Sequence, residues 1–385
     1  METIRIGDAC KILNGYAFKS DKYVTSGIRV IRIANVQKGY IEDADPEFYP
    51  ENYSGLDKYM LKEGDLLISL TGNVGRVAIL QKEMLPAALN QRVACLRIKN
   101  PKISKGYLFH FLNSDYFENK CIQASKGVAQ KNVSTEWLKE YEIPLYSAKK
   151  QAEIENTLDK LNLVIKHRKE ELSDLDELIK ARFVEMFGDP ADISRKDKVE
   201  LSEICEKITD GEHGSVARVP NGHPFLNAKQ ILKNGRIDWD TITYVGDEDH
   251  QRIYKRCNPV EGDILLTTTG TIGNVAIMPK AEEVSMDRGI TLIKIDRQKV
   301  TSEFVAELLK QPSIQTEMGV NVHASAIGHL FMNRVKKLPA ILPSMESQAE
   351  FTAFVRQVDK SKSVVKKSLD ETQLLFDSLM QKYFG

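Results

Sequence analysis

Between residues 149 and 188, apolar side chains fall at Ile154, Leu158, Leu161, Ile165, Leu172, Leu175, Ile179 and Met186. The spacing alternates between four and three, with Arg168 and Arg182 in the two gaps, and predicts a helix with a coiled-coil seam. The C-terminal stretch repeats it with Phe351, Val355, Val358, Lys362, Val365, Leu369, Thr372, Phe376, Leu379 and Tyr383. Ser147 and Ser344 stand where an N-cap belongs, and Gly188 before Asp189-Pro190 is a stop signal. Roughly forty residues at about 1.5 Å each make a rod on the order of 60 Å long, more than one domain can cover. Two matched seams therefore predict that the helices pack on each other. An antiparallel pair would hold the domains they follow at opposite ends of a bar.

Outside these helices the apolar runs are short and bounded by turns, the pattern of strands. Residues 63 to 80 read EGDLLISLTGNVGRVAIL, and residues 261 to 278 read EGDILLTTTGTIGNVAIM. Such self-similarity fixes the architecture before any fold assignment. Other landmarks recur in order: Cys10, Ile12 and Gly15 match Cys205, Ile208 and Gly211. The strand-turn-strand segment from Ile31 to Asp43 matches Phe225 to Asp240, and Arg92 matches Arg288. Gln151 to Glu153 returns at Gln348 to Glu350, and Phe187-Gly188 returns at Phe384-Gly385. The expected fold class is α+β: two mixed, strand-rich domains alternating with two long helices that form an antiparallel coiled coil, with an internal pseudo-two-fold. The expected domains are 1–147, 148–190, 191–345 and 346–385, the second and fourth being the helices.

Composition adds limits. The 385 residues are 42% apolar, enough for more than one core, and the 54 basic and 54 acidic residues cancel. A chain without net charge gains no global attraction to nucleic acid, so any DNA binding needs local basic clusters or a charged partner. Cys10, Cys95, Cys121, Cys205 and Cys257 are scattered singly, which predicts neither a disulfide framework nor a zinc site. The N-terminus has no signal-peptide core and no stretch approaches a membrane span, so the expected location is the cytoplasm.

Catalytic signatures are missing: there is no phosphate loop, HExxH, deaminase H-x-E, GxSxG elbow, or Gly-rich methyl-donor loop. The seven histidines show no i,i+4 ligand pair. No catalytic residue, metal or bound cofactor is expected, and a binding protein is. In the repeated phrase the glycines and apolar residues are explained by a hairpin alone. The loop side chains differ, Asn73 and Arg76 against Thr271 and Asn274, as two recognition modules of different specificity would require. Polar and basic positions in matching loops extend the candidate DNA-binding set. In the first domain these are Asn14, Tyr16, Lys19, Lys22, Arg32, Asn35, Lys38, Arg92 and Lys131. In the second they are His213, Ser215, Arg218, Asn227, Lys229, Gln230, Lys233 and Arg288.

Taken together, the duplicated phrase, the string KGVAQKNVSTEWLKEYEIPL before KKQAEI, and VKKLPAILPSMESQAEF before the last helix resemble the specificity subunit of type I restriction-modification enzymes. The sequence departs from that pattern in having a single proline, Pro144, at the first junction, and HASAIGH from His323 to His329 in place of the GVAQKN string. The resemblance implies two target recognition domains, each reading one half of a bipartite, asymmetric DNA sequence, with the helices as spacer. It implies double-stranded DNA, two methyltransferase subunits and restriction subunits as partners. S-adenosylmethionine would then sit on the methyltransferase subunits, and ATP and Mg on the restriction subunits. The competing readings are a protein-protein scaffold with two adaptor domains, and the specificity part of a system whose catalytic parts are fused rather than separate.

Overall fold

The structure, a computed structural model, describes residues 2–125, 131–192, 194, 198–322 and 328–385. Residues 126–130 of the first junction string and residues 323–327, including His323, lie outside the described residues. The chain divides into two compact units, Met1–Lys169 with Lys367–Gly385, and Glu170–Lys366. Neither unit stops where a globular domain ends, because each takes in part of both long helices.

The first unit carries a four-stranded antiparallel sheet in the order Cys10–Asn14, Val93–Ile98, Leu66–Ser69, Val77–Ile79. The second repeats that order with Cys205–Asp210, Ile290–Ile295, Ile264–Thr267 and Val275–Ile277. Each sheet is covered on both faces, which is why its central strand reads as an unbroken apolar run. Leu66 and Ile68 join one core cluster while Leu67, between them, joins another. In the second unit Ile264 and Leu266 separate from Leu265 in the same way. Beside each lies a three-stranded sheet with one parallel pair, Ile28–Ile31 with Ala87–Leu89 and His223–Leu226 with Ser285–Met286.

The strand-turn-strand expectation for Ile31 to Asp43 and Phe225 to Asp240 is only partly met. After Ile31 the chain touches itself at a single bridge, Val36 with Ile41, and after Leu226 at Ile231 with Ile237. Side chains take over the hydrogen bonding there. Asn35 accepts the Arg32 N–H and donates to the Glu42 carbonyl, both at 2.8 Å, and Asn227 caps the turn Ala228–Gln230. Such local side-chain bonds offer the backbone an alternative to a ladder.

The two long helices run Ala148–Phe187 and Met345–Phe384. Ser147 and Ser344 cap them, accepting the N–H of Lys150 at 3.3 Å and of Ser347 at 3.2 Å. Gly188 ends the first with φ +74° and its N–H on the Val184 carbonyl. In the first unit, Ile154 and Leu158 from the start of one helix share a core with Met380 and Phe384 from the end of the other. In the second unit, Phe351 and Val355 share a core with Ile179, Phe183 and Phe187. A start packed with an end is an antiparallel pair in each unit. Phe183, absent from the expected seam, is fully buried there. Neighbouring Arg182 instead reaches Glu350 at 2.9 Å, and Lys362, in a gap of the second seam, reaches Asp176 at 2.6 Å.

A buried glutamine ties each helix start to its domain. Gln151 accepts the Ser104 N–H at 2.8 Å and donates to the carbonyls of Lys102 and Tyr146. Gln348 repeats this with Thr301, Lys299 and Pro343. The helix ends are held by aromatic packing. Phe384 lies 5.7 Å from Tyr107 and 5.6 Å from Phe111, and Phe187 lies 5.2 Å from Phe304 and 5.4 Å from Phe351.

Replacing Gln151 by Ala removes the partner of one N–H and two carbonyls at a half-buried junction, where a lost hydrogen bond costs about 0.5–1.5 kcal/mol and water can reach the carbonyl of exposed Lys102. Urea denaturation of Gln151→Ala, or of Gln348→Ala, is therefore expected to show a loss of about 1–3 kcal/mol, while exposed Lys160→Ala changes stability by less than about 0.5 kcal/mol.

Candidate nucleic-acid interface

Strand register brings several candidate residues to one end of each four-stranded sheet. In the first unit Asn14 and Ile68 both pair with Ala94, so the ends of two strands and the start of a third stand level. The turns there are Asn14-Gly15-Tyr16, Asn90-Gln91-Arg92 and the loop from Leu70 to Arg76. Backbone bonds stitch them together: the Leu70 N–H donates to Arg92 at 2.9 Å and the Gln91 N–H to Tyr16 at 2.9 Å. Gly15 is required by close approach, since a Cβ would lie 2.2 Å from the Asn90 carbonyl. Gly211 meets the Met286 carbonyl at the same 2.2 Å in the second unit. There Asp210 pairs with Thr291 and Thr267 with Ile290, and the Thr268 N–H donates to Gly289 at 2.8 Å.

Within the repeated phrase, each polar element of the frame has a structural partner. The turn glycines Gly64 and Gly262 have positive φ, as do Gly72, Gly75, Gly270 and Gly273 in the loops. Asp65 is buried and takes two bonds from Arg97, at 2.8 and 2.6 Å, while Asp263 takes Lys294 at 2.6 Å. One hydroxyl holds each loop. Ser69 Oγ accepts the Arg76 N–H at 3.0 Å and donates to the Asn73 carbonyl, and Thr267 Oγ1 does the same for Asn274 and Thr271. With the backbone pinned from inside, the side chains of Asn73 and Thr271 remain exposed.

Of the expected set, Asn14, Tyr16, Asn73, Arg92 and Lys131 gather at this end in the first unit. His213, Thr271 and Arg288 do so in the second, with Ser215 exposed two residues beyond His213. Tyr16 is half-buried among Phe18, Tyr53 and Tyr59, its hydroxyl 3.2 Å from that of Tyr53. Lys19 and Lys22 are exposed beside it, Lys22 lying 5.0 Å from the Tyr53 ring. Other expected readers are occupied within the fold. Asn35 is 5% exposed and Gln230 4%, and Gln230 accepts the Asn227 N–H while donating to the Thr241 carbonyl. Arg32 bonds Glu47 at 3.2 Å and the Asp45 carbonyl at 2.6 Å. Arg76 bonds the Gln37 side chain, Asn274 the Ile231 carbonyl at 2.8 Å, and Lys38 both Asp115 and Glu118. Asn227 accepts the Lys229 N–H at 3.0 Å, while the Lys229 and Lys233 side chains are exposed. Arg218 lies 3.9 Å over the Phe225 ring.

Sequence reasoning missed Gln91, exposed beside Arg92, and the pair Asn132 and His329. Thr71 bridges to Asn132 and Thr269 to His329, so His329 holds in the second domain the place that Asn132 holds in the first. Position relative to the repeat was the available signal.

The two ends differ electrostatically. The first presents Lys19, Lys22, Arg92 and Lys131. The second holds Asp210 and Glu212, which are neutralised by Arg256 and Arg252, alongside exposed Arg288. The Gly214 N–H, with the Arg252 guanidinium, holds the Glu212 carboxyl below the usual glutamate range. Burial pushes the Asp287 carboxyl the other way and raises the thiols of Cys10, Cys121, Cys205 and Cys257 to about 12. Among the described residues no group of three or more His, Cys, Asp or Glu is placed to hold a metal ion, and no helix is long and apolar enough to cross a membrane.

The type I restriction modification DNA specificity domain matches residues 1–174 and again 196–372. Among curated proteins, the EcoBI specificity subunit of Escherichia coli is 23% identical over 99% of this chain and 85% of its own length. The MjaVIII specificity subunit of Methanocaldococcus jannaschii is 29% identical over 46% of this chain and 42% of its own. The EcoAI specificity subunit of E. coli is 33% identical over 42% of this chain and 28% of its own. The fold is similar to that of the S subunit of a type I restriction-modification system from M. genitalium, with TM-score 0.55, 16% identity, and coverage of 100% of this chain and 96% of that one. A chain solved in a study of complex assembly and conformational transition of the type I R-M system gives 0.58 and 16%, covering 100% and 97%.

A carboxyl whose pKa is lowered by folding lends stability that is complete above its unfolded value and is lost as pH falls through the folded one. Acid titration of the folded chain is therefore expected to lose the Glu212 contribution below the ordinary glutamate range. Glu212→Gln removes that part of the acid limb, as read by thermal melts from pH 7 to pH 3.

Proposed function

The chain belongs to the type I restriction modification DNA specificity family, and on that premise we propose that it selects the DNA sequence on which a type I restriction-modification complex acts. The observation that carries this reading is the loop end built twice on one frame. Glycines, an internal hydroxyl and a buried ion pair recur in both copies, while the exposed residues Asn73 and Thr271 differ. A constant frame with variable polar tips suits two modules that read different base edges. Each domain then reads one half of an asymmetric, bipartite target in double-stranded DNA, and the paired helices set the unread gap. Arg92 and Arg288, retained in both copies, suit the phosphate contacts that position a protein without specifying sequence.

In this reading the chain contributes recognition and not catalysis, and acts in the cytoplasm. Its repeated halves offer equivalent docking surfaces to two methyltransferase subunits, and restriction subunits complete the nuclease. S-adenosylmethionine then belongs to the methyltransferase, and ATP and Mg to the restriction subunits. Partner subunits also supply the positive charge that this chain, with zero net charge, lacks.

Exchanging residues 1–147 for the corresponding domain of a relative, followed by methylome sequencing with the methyltransferase present, is expected to change one half-site and leave the other intact. A methylation pattern untouched by the exchange refutes recognition and favours a scaffold. In the assembled complex, Arg92→Ala is expected to weaken binding of cognate and unrelated duplexes alike and to reduce the slope of log K against log salt by about one. Because a helix start packs with a helix end in each unit, lengthening requires a matched insertion. Seven residues added both between Leu161 and Leu175 and between Val358 and Thr372 are expected to widen the gap by about three base pairs, from about 1.5 Å per residue and 3.4 Å per base pair. An unchanged gap rules out the spacer role.

A further inference from the structure

A segment remote in sequence lies against the repeated loop in each domain and brings one more polar side chain to the sheet end. In the first, the Gly72 N–H donates to the Lys131 carbonyl and the Val133 N–H to Leu70, both at 2.9 Å, leaving Asn132 bridged to Thr71. In the second, the Leu330 N–H donates to Thr268 at 2.8 Å, with His329 bridged to Thr269. Backbone bonds already hold these segments. Beyond these backbone bonds, the side chains of Asn132 and His329 each meet the threonine of the repeated phrase. Thr71 Oγ1 lies 3.4 Å from Asn132 Oδ1, and Thr269 Oγ1 lies 2.7 Å from His329 Nδ1.

We propose that Asn132 and His329 are specificity-determining residues, each aimed by its threonine at one base pair of the half-site that its domain reads. The inference rests on the reading of the chain as a DNA specificity subunit. The loop threonine and glycines are the same in both copies, Thr71 and Thr269, Gly72 and Gly270, Gly75 and Gly273, and the other frame positions keep their chemistry, Ser69 with Thr267 and Arg97 with Lys294. Residues serving sequence choice must differ, and at this equivalent position an amide faces an imidazole. Asn132 is exposed and presents an acceptor beside two donors, the pattern that pairs with N7 and N6 of adenine. The His329 ring is fixed at Nδ1 by the threonine hydroxyl and at its edge by Phe331, 4.9 Å away. In the tautomer in which Thr269 donates to Nδ1, Nε2 carries the ring proton and suits a purine acceptor such as N7 or O6 of guanine; in the other, Nε2 accepts from a base amino group. Fixing the ring beforehand sharpens the choice, because a rotating imidazole could satisfy several base edges.

The test uses the whole chain with its methyltransferase subunits and methylome sequencing. Asn132→His is expected to alter base preference at one position of one half-site, and His329→Asn at one position of the other. Methylation of the parental sequence should fall about ten-fold to a hundred-fold. Thr269→Val keeps the histidine but removes the hydroxyl that orients it. It is expected to relax preference at the position that His329→Asn changes while the parental sequence stays methylated, and this variant decides the matter if His329→Asn abolishes methylation altogether. Unchanged preference in Asn132→His and Thr269→Val overturns the inference. If exchange of residues 1–147 changes a half-site while these variants change nothing, only this assignment fails. If the exchange also changes nothing, the recognition reading itself fails.

Discussion

Each long helix is fixed at its start by a buried glutamine that makes three hydrogen bonds, and this contact ties the helix to the domain before it. Gln151 and Gln348 are 1% and 0% exposed, and the groups they satisfy are an N–H and two carbonyls at the junction of domain and helix. An apolar side chain in that place would leave those groups unsatisfied, and a charged one would bring an uncompensated charge into the interior. Only a neutral group with one acceptor and two donors matches all three. With rotation about the axis fixed at the first turn, the seam faces the other helix. The end of each helix is held separately in its own unit by an aromatic cluster, Phe187 beside Phe304 and Phe384 beside Tyr107.

A division between fixed framework and variable tip governs the loop ends of the two four-stranded sheets. Ser69 and Thr267 hold their loops from within, so loop shape does not depend on the outward residues. Those residues can therefore vary without loss of the fold, as Asn73 and Thr271 do. Charge varies as well. The first end is basic, whereas the second balances Asp210 and Glu212 against Arg256 and Arg252 before Arg288 is reached. Two modules with one backbone frame thus carry different fields, and under the proposed function electrostatics separates them before any base is read.

Much of this was legible in the chain because it depends on local pattern and repetition. The seams, the serine caps, the Gly188 terminator and the duplicated hairpin follow from spacing and turn chemistry, and the structure places them as expected. The expected strands after Ile31 and Leu226 shrink to single bridges because Asn35 and Asn227 bond the backbone themselves. Asn35 and Gln230 have the residue types of base readers, but they are buried with partners, and residue type alone does not report burial. Phe183 lies next to a seam position occupied by Arg182, and only packing shows which of the two turns inward.

The sequence by itself determined that the chain is written twice, that each copy ends in a long helix, and which hairpin is shared. These are properties of period and identity, which need no coordinates. The tertiary structure decided which side chains meet. It set Asn132 beside Thr71 and His329 beside Thr269, and it put the end of each helix in a core with the start of the other. Contacts between residues sixty to more than two hundred positions apart depend on strand register and helix rotation. A sequence without a second copy for comparison at those positions carries no local sign of either.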